Sequence, residues 1–308
     1  MRVFNLLSAA LLFAAATSCT LDKTDYEAEI STEVTEYYEF KEAVAVNSGN
    51  YKISIEALNG TFYKGYNEIR LKITNTQANE LLKNANVSFL PIKTNSDGNK
   101  TSCPHQYNLI FQNDKNYYLG YVVFTAESNP SDEWQLYINF TDSAEKISIN
   151  TTIQVKQQSN KNLNMTSFVG SDNSEYVIAL IAPQKPKVAE NELVAGIYRY
   201  VEPTNAGGTF PDLSQFTFEE VSGYTLQLDP RMPEPSMGNH SSPNNKDLVQ
   251  LNDKFYHGIV NYTMTGNWTL NFIMINENGK IIKGNEVSKD FTPGVEGTKS
   301  ELFIDILF

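Results

Sequence analysis

The chain has 308 residues, 41% hydrophobic and 12% aromatic, with a formal net charge of −12 at neutral pH. That length supports about two domains with cores of ordinary size. The acidic balance, with no basic patch, argues against a nucleic-acid partner and against adsorption to an anionic surface.

The first 18 residues read as an export leader: Arg2 is the charge, Leu6 to Ala16 the short apolar core. The leader ends Ala16-Thr17-Ser18-Cys19, small residues directly before a cysteine, which resembles a bacterial lipoprotein cleavage site. The resemblance implies a lipid on Cys19 and attachment to an envelope membrane on its periplasmic or outer face. No later stretch reaches the ~20 apolar residues of a membrane-spanning helix. With Cys19 lipidated, Cys103 is the one remaining cysteine, and a lone thiol is either buried or reactive. Residues 19–43 are acidic with few aliphatics, the composition of a tether. Tyr37, Tyr38 and Phe40 could pin the end of that tether to the first domain.

From Val44 the pattern has period two. Tyr51 to Ala57 and Asn67 to Ile73 alternate as half-buried strands do, and Asn86 to Pro91, Tyr117 to Thr125, Trp134 to Phe140 and Ile147 to Val155 follow as further short strands. Gln77 to Asn84 is long enough for one helical turn. Residues 157–174, rich in Gln, Asn and Lys at their start, read as a linker.

The pattern then repeats in the same order. Tyr176 to Ile181 matches Tyr51 onward, Asn191-Glu-Leu193 matches Asn67-Glu-Ile69, and Tyr224 to Pro230 matches Val87 to Pro91. Tyr256-His-Gly258 matches Tyr118-Leu-Gly120, Trp268 to Phe272 matches Trp134 to Ile138, and Glu301 to Phe308 closes the second copy. The two tryptophans of the chain fall at equivalent places. The expected fold is all-β: two tandem immunoglobulin-like sandwiches from an internal duplication, at 44–156 and 175–308. Trp134, Trp268, Gly120 and Gly258 are the expected core markers. Residues 198–220 read as an insertion in the second copy, a surface loop with Phe210, Phe216 and Phe218 packing back, or a lid.

The candidate site is Arg231 to Phe272, a Pro/Gly/Asn-rich loop with Met232, Met237 and His240, followed by a hairpin with His257 and Met264. Here the second copy resembles the YtkA-like, FixH-related family of secreted or membrane-anchored β-sandwich domains. The residues that carry the resemblance are Met232, Pro233, Met237, Gly238 and His240, then Tyr256 and Gly258, then Met264, Gly266 and Trp268. Asn239 interrupts the family's Met-Gly-His, and Thr265 stands where the family has Pro. The first copy keeps only Pro91, His105, Gly120, Phe124 and Trp134. The resemblance implies copper handling or heme–copper oxidase assembly.

Thioethers are soft donors that suit Cu(I), and imidazole suits copper too. Met232, Met237 and His240 are therefore the candidate ligands, with His257 able to close the set. Met264 shares strand parity with Val260 and Tyr262 and reads as core. No zinc, calcium or phosphate-loop spacing occurs. Cys103 and His105 have nothing to orient the imidazole, so no catalytic residue is assigned. Two readings follow: a lipid-anchored copper protein, or a non-catalytic module binding an envelope protein or glycan, with the methionine loop as packing.

Overall fold

The computed structural model describes residues 38–143, 145–159, 161–203 and 211–307. The leader, Cys19, Tyr37 and Phe210 lie outside the described residues.

The first copy has eight main strands: β1 (Phe40–Ser48), β2 (Tyr51–Leu58), β3 (Gly65–Asn75), β4 (Val87–Asn95), β5 (Asn108–Gln112), β6 (Tyr117–Phe124), β7 (Asp132–Asp142) and β8 (Glu145–Ile153). They pair in the order β1-β2-β3-β6-β5-β4-β7-β8. Only Val87–Leu109 and Ser88–Asn108 join β4 to β5. There the sheet turns over, and its two layers share one core of Ile53, Ile69, Leu71, Phe89, Trp134 and Leu136. The layers β2-β3-β6-β5 and β4-β7-β8 have the A-B-E-D and C-F-G order of an immunoglobulin sandwich, with β1 added beside A. Pro91 is tolerated inside β4 because it lies beyond the short pairing with β5.

The second copy repeats this as β9 (Met165–Val169), β10 (Glu175–Ala182), β11 (Glu190–Val201), β12 (Thr225–Met232), β13 (Lys246–Gln250), β14 (Tyr256–Asn261) and β15 (Asn267–Ile275), then β16 (Ile281–Lys283) and β17 (Phe303–Leu307). The order is β9-β10-β11-β14-β13-β12-β15, with β16 and β17 both beside β15. Trp134 faces Ile153 as Trp268 faces Ile306, and Ile69 faces Gly120 as Leu193 faces Gly258. Both indoles donate to the carbonyls of equivalent residues, Ala126 and Met264. Tyr118 and Tyr256 make one corner: each hydroxyl accepts a backbone N–H, from Ala85 or Tyr224, and donates to a carbonyl, of Leu82 or Val221. Gly120 and Gly258 each leave room for a leucine of the next strand, Leu109 or Leu248.

Several boundaries differ from the sequence reading. β1 starts at Phe40, inside the stretch assigned to the tether, with the Arg70 guanidinium over the Phe40 ring. β9 lies inside the stretch assigned to the linker, as an edge strand whose Ser167 and Val169 face out. The rest of that linker is held down: Leu163 is buried, and its carbonyl accepts from Tyr66 N–H. A Cβ on Gly65 would sit 2.0 Å from that carbonyl oxygen. Gln77 to Asn84 is a turn ending in a two-residue strand, not a helical turn.

Both ends of the 198–220 insertion are paired strand. Tyr198 to Val201 continue β11, and Thr217–Glu220 pairs back on them. Between the sandwiches, Tyr66, Tyr121 and Val123 of the first pack on Met165, Val177, Ala179 and Tyr198 of the second, with Phe218 alongside. Phe216 and Leu213 reach further and cover Leu90 and Ile92 on the outer face of β4.

Candidate functional site

The methionine loop is held by backbone geometry. Pro235–Met237 forms a single 3-10 turn capped by Gly238 in the left-handed region, with φ of 64°. The chain then returns as a two-residue strand, His240–Ser241, in which His240 faces Met232. Met232 is 1% exposed and belongs to the core with Trp268, Leu270 and Tyr262; its methyl lies 2.8 Å from where a Gly266 Cβ would be. Met237 packs on the same core from its edge. Met264 is exposed, which corrects its assignment to the core; what the position supplies inward is its carbonyl, to the Trp268 indole.

The two histidines do not meet. His240 Nε2 is 2.8 Å from the Thr263 hydroxyl, and its ring lies beside Trp268. His257 is six residues before Thr263 on extended chain, roughly 15–20 Å away. It sits between two carboxylates, donating Nδ1–H to Glu192 and Nε2–H to Asp253, each at 2.9 Å. Burial lowers its proton affinity, but the two carboxylates more than offset this, so its pKa is raised. The set Met232, Met237, His240 and His257 therefore does not fit a single copper centre. Only Met232 and His240 leave the same face of one strand pair. Among the described residues, no group of three or more His, Cys, Asp or Glu is placed to hold a metal ion.

In the first copy, Thr101 rather than His105 occupies the position of His240, since Thr101 faces Lys93 as His240 faces Met232. His105 donates Nδ1–H to the Cys103 carbonyl at 2.7 Å, and its buried Nε2 has no partner among the described residues. Burial pushes its pKa down to about 4, against a small opposing pull from that carbonyl. Burial drives the Cys103 thiol pKa well up, so the thiol is inert rather than nucleophilic.

The structure forms a different site on the outer face of β12 and β15. Register aligns Leu90 with Asp229, Ile92 with Arg231 and Tyr137 with Asn271. Three apolar or aromatic positions in the first copy are thus polar in the second. Over them passes an arm, residues 284–301, that interrupts the last strand where β8 in the first copy is continuous. Gly284 opens the arm: its φ is 95°, and a Cβ there would lie 2.1 Å from the Phe272 carbonyl oxygen.

The arm is tied down at its base and middle. Asn271 accepts Ser300 N–H, Ser300 Oγ donates to the Phe272 carbonyl, and Asn285 accepts Glu301 N–H. Asn239, the residue that breaks the Met-Gly-His spacing, donates to the carbonyls of Ser288 and Asp290. Its buried Oδ1 has no partner among the described residues.

Between arm and sheet lies a cleft of about 610 Å³, within the range of small-ligand sites. Arg231 lines it with a side chain only 5% exposed. Among the described residues, its guanidinium finds Asp229 Oδ2 at 2.9 Å and, at 3.5 Å, the Asn239 carbonyl. Asp247 lines the same cleft and spends one oxygen on Leu228 N–H.

No protein-family model matches the sequence, and no curated protein sequence matches it. Among solved structures the chain is similar to one titled "The crystal structure of the conserved domain protein from Bacillus anthracis", at 13% identity and a TM-score of 0.30, over 89% of this chain and 92% of that one. At that score the likeness has no bearing on fold or function. No helix among the described residues is long and apolar enough to cross a membrane.

Proposed function

We propose that the chain is a lipid-anchored, non-catalytic binding protein of the cell envelope that takes its ligand on the outer face of the second sandwich. The observation that carries this reading is the exchange of Leu90, Ile92 and Tyr137 for Asp229, Arg231 and Asn271 at register-equivalent positions. In the first copy that face is apolar and covered by Phe216; in the second it is polar and open beneath an arm of its own. Burying an arginine to 5% exposure is costly unless it is paired and bonded, and a ligand would add acceptors for its remaining N–H groups. Cys19 supplies the anchor in this reading, through the leader motif.

Hydrogen–deuterium exchange on the full chain, with and without the solubilised envelope fraction of the source cell, tests it. Protection is expected at 227–231, 269–273 and 285–289 and not at the equivalent 88–92 and 135–139. Protection confined to the first sandwich, or none, overturns the reading.

A narrower copper reading rests on the pairing of Met232 with His240 across one strand pair. Two such soft donors on one face suit Cu(I), and the YtkA-like resemblance points the same way. It ranks second because Met232 is core.

A further inference from the structure

We infer that the cleft beneath the 284–301 arm is a saccharide site, built for a neutral polyhydroxylated ring. The inference rests on the reading of that face as a ligand site and names the ligand's chemical class. The free groups in the cleft alternate in sign of hydrogen bonding. Asp229 has one carboxylate oxygen on Arg231, and Asp247 has one on Leu228 N–H, so each keeps an acceptor oxygen for a ligand. Between them in function is the Arg231 guanidinium, which can only donate.

A vicinal diol matches such a set, because each hydroxyl both donates and accepts. It can give its protons to the two aspartates and take N–H bonds from the arginine. An anion matches poorly: Asp229, Asp247 and Glu286 line the cleft against Arg231 and Lys289, so a second negative charge meets net repulsion. A cation meets the buried guanidinium. Ile273 and Val287, half-buried on the lining, offer the apolar patch on which the C–H face of a pyranose rests.

Asn271 and Asn285, which look like further sugar ligands, are not counted. Their amide groups are spent on Ser300, the Asp229 carbonyl, and Glu301 and Glu286 of the arm. They position the arm, and Asp229, Arg231 and Asp247 do the binding.

The test is a titration of the full chain in a zwitterionic detergent without a sugar head group, read by chemical shifts of cleft resonances. One panel is glucose, galactose, mannose, N-acetylglucosamine and their disaccharides; the other is inorganic phosphate, acetate and N-acetylneuraminic acid. At least one neutral sugar is expected to shift the Arg231 Nε–H and the 285–289 amides saturably. Asp247→Asn, which keeps the oxygen that accepts Leu228 N–H, is expected to weaken that sugar at least tenfold, and Arg231→Lys likewise. Shifts in the cleft from the anions and not from the neutral sugars overturn the saccharide class and leave the ligand-site reading standing. Saturable binding by neither panel overturns the saccharide class alone; the ligand-site reading stands or falls on the exchange experiment with the envelope fraction. Tight sugar binding unchanged by Asp247→Asn and Arg231→Lys places the sugar elsewhere and also overturns the inference.

Discussion

Asn67 and Asn191 are the same residue twice. Each is buried at the start of its strand. Each accepts the N–H of the residue four before it, and each donates from Nδ2 to the carbonyls four and two before it. Three hydrogen bonds from one amide clamp the turn that leads into β3 and β11. No composition argument reaches this; the register does.

Replacing either asparagine by Ala strands two carbonyls and one N–H, at a cost of ~1–3 kcal/mol. Asp at either position is expected to do no better, since a carboxylate keeps the acceptor and loses both donors. Urea midpoints of the four single variants check this. A fall seen at one position and not at its counterpart would contradict the equivalence.

The two core glycines are predicted to differ. A Cβ on Gly258 meets the Lys246 carbonyl oxygen at 2.6 Å, which is backbone of the neighbouring strand. A Cβ on Gly120 meets the end of the Leu109 side chain at 2.3 Å, which can rotate away. Gly258→Ala should therefore cost ~1–3 kcal/mol by overpacking, and Gly120→Ala less. Thermal melts of the two variants give the ranking.

Trp134 and Trp268 are fully buried with satisfied indoles, so each Trp→Ala is expected to cost ~3–5 kcal/mol. Met232→Ala should cost ~2–5 kcal/mol and Met232→Leu little, because Leu conserves volume. If Met232 and His240 hold Cu(I), Met232→Leu and His240→Ala abolish binding in a competition titration while the melt stays in place. Identical titrations for wild type and both variants remove the copper reading.

The histidines give opposite pH signs. His105 has its native pKa near 4, below an unfolded value of about 6.5. The unfolded chain alone takes up that proton between these values, so stability is full above pH 6.5 and falls as pH drops toward 4, by up to about 3 kcal/mol. His257 is raised, so its contribution is present below about pH 6.5 and is lost as pH rises through its native pKa. Its carboxylate partners are exposed, which keeps that contribution small. His257→Gln should remove the second slope and leave the first, measured by urea unfolding from pH 4 to 8.

If the leader motif directs a lipid onto Cys19, Cys19→Ser should release the chain from the membrane fraction, since no helix among the described residues is long and apolar enough to cross a membrane. Retention of the variant in that fraction would instead mark a membrane-bound protein partner.

Most of the fold was legible because period-two alternation is clear in β2, β3 and β7, and because Asn, Tyr-x-Gly and Trp recur in order. β9 escaped because Met165-Thr-Ser-Phe-Val is an edge strand with little apolar signal. The equivalence of Thr101 and His240 escaped because short loops hide register, and only the strand pairing reveals it. The cleft escaped because Asp229, Arg231 and Asn271 read as an ordinary solvated face. A signal was available. Once Pro91 is laid on Pro230 and Trp134 on Trp268, three apolar or aromatic positions turn polar together, and no solvated-face argument explains why only one copy changes. That Phe216 packs back was legible; that it packs on Leu90 and Ile92 of the first sandwich was not, since they lie more than a hundred positions away.

The plug made by Leu213 and Phe216 sets the valency of the molecule. A duplicated domain ordinarily doubles its sites and gains avidity through linkage. Here the first sandwich has given up the matching face to hold its twin, so the described residues present one such surface per chain. Any multivalent grip must then come from gathering several chains close together, not from the repeat within each.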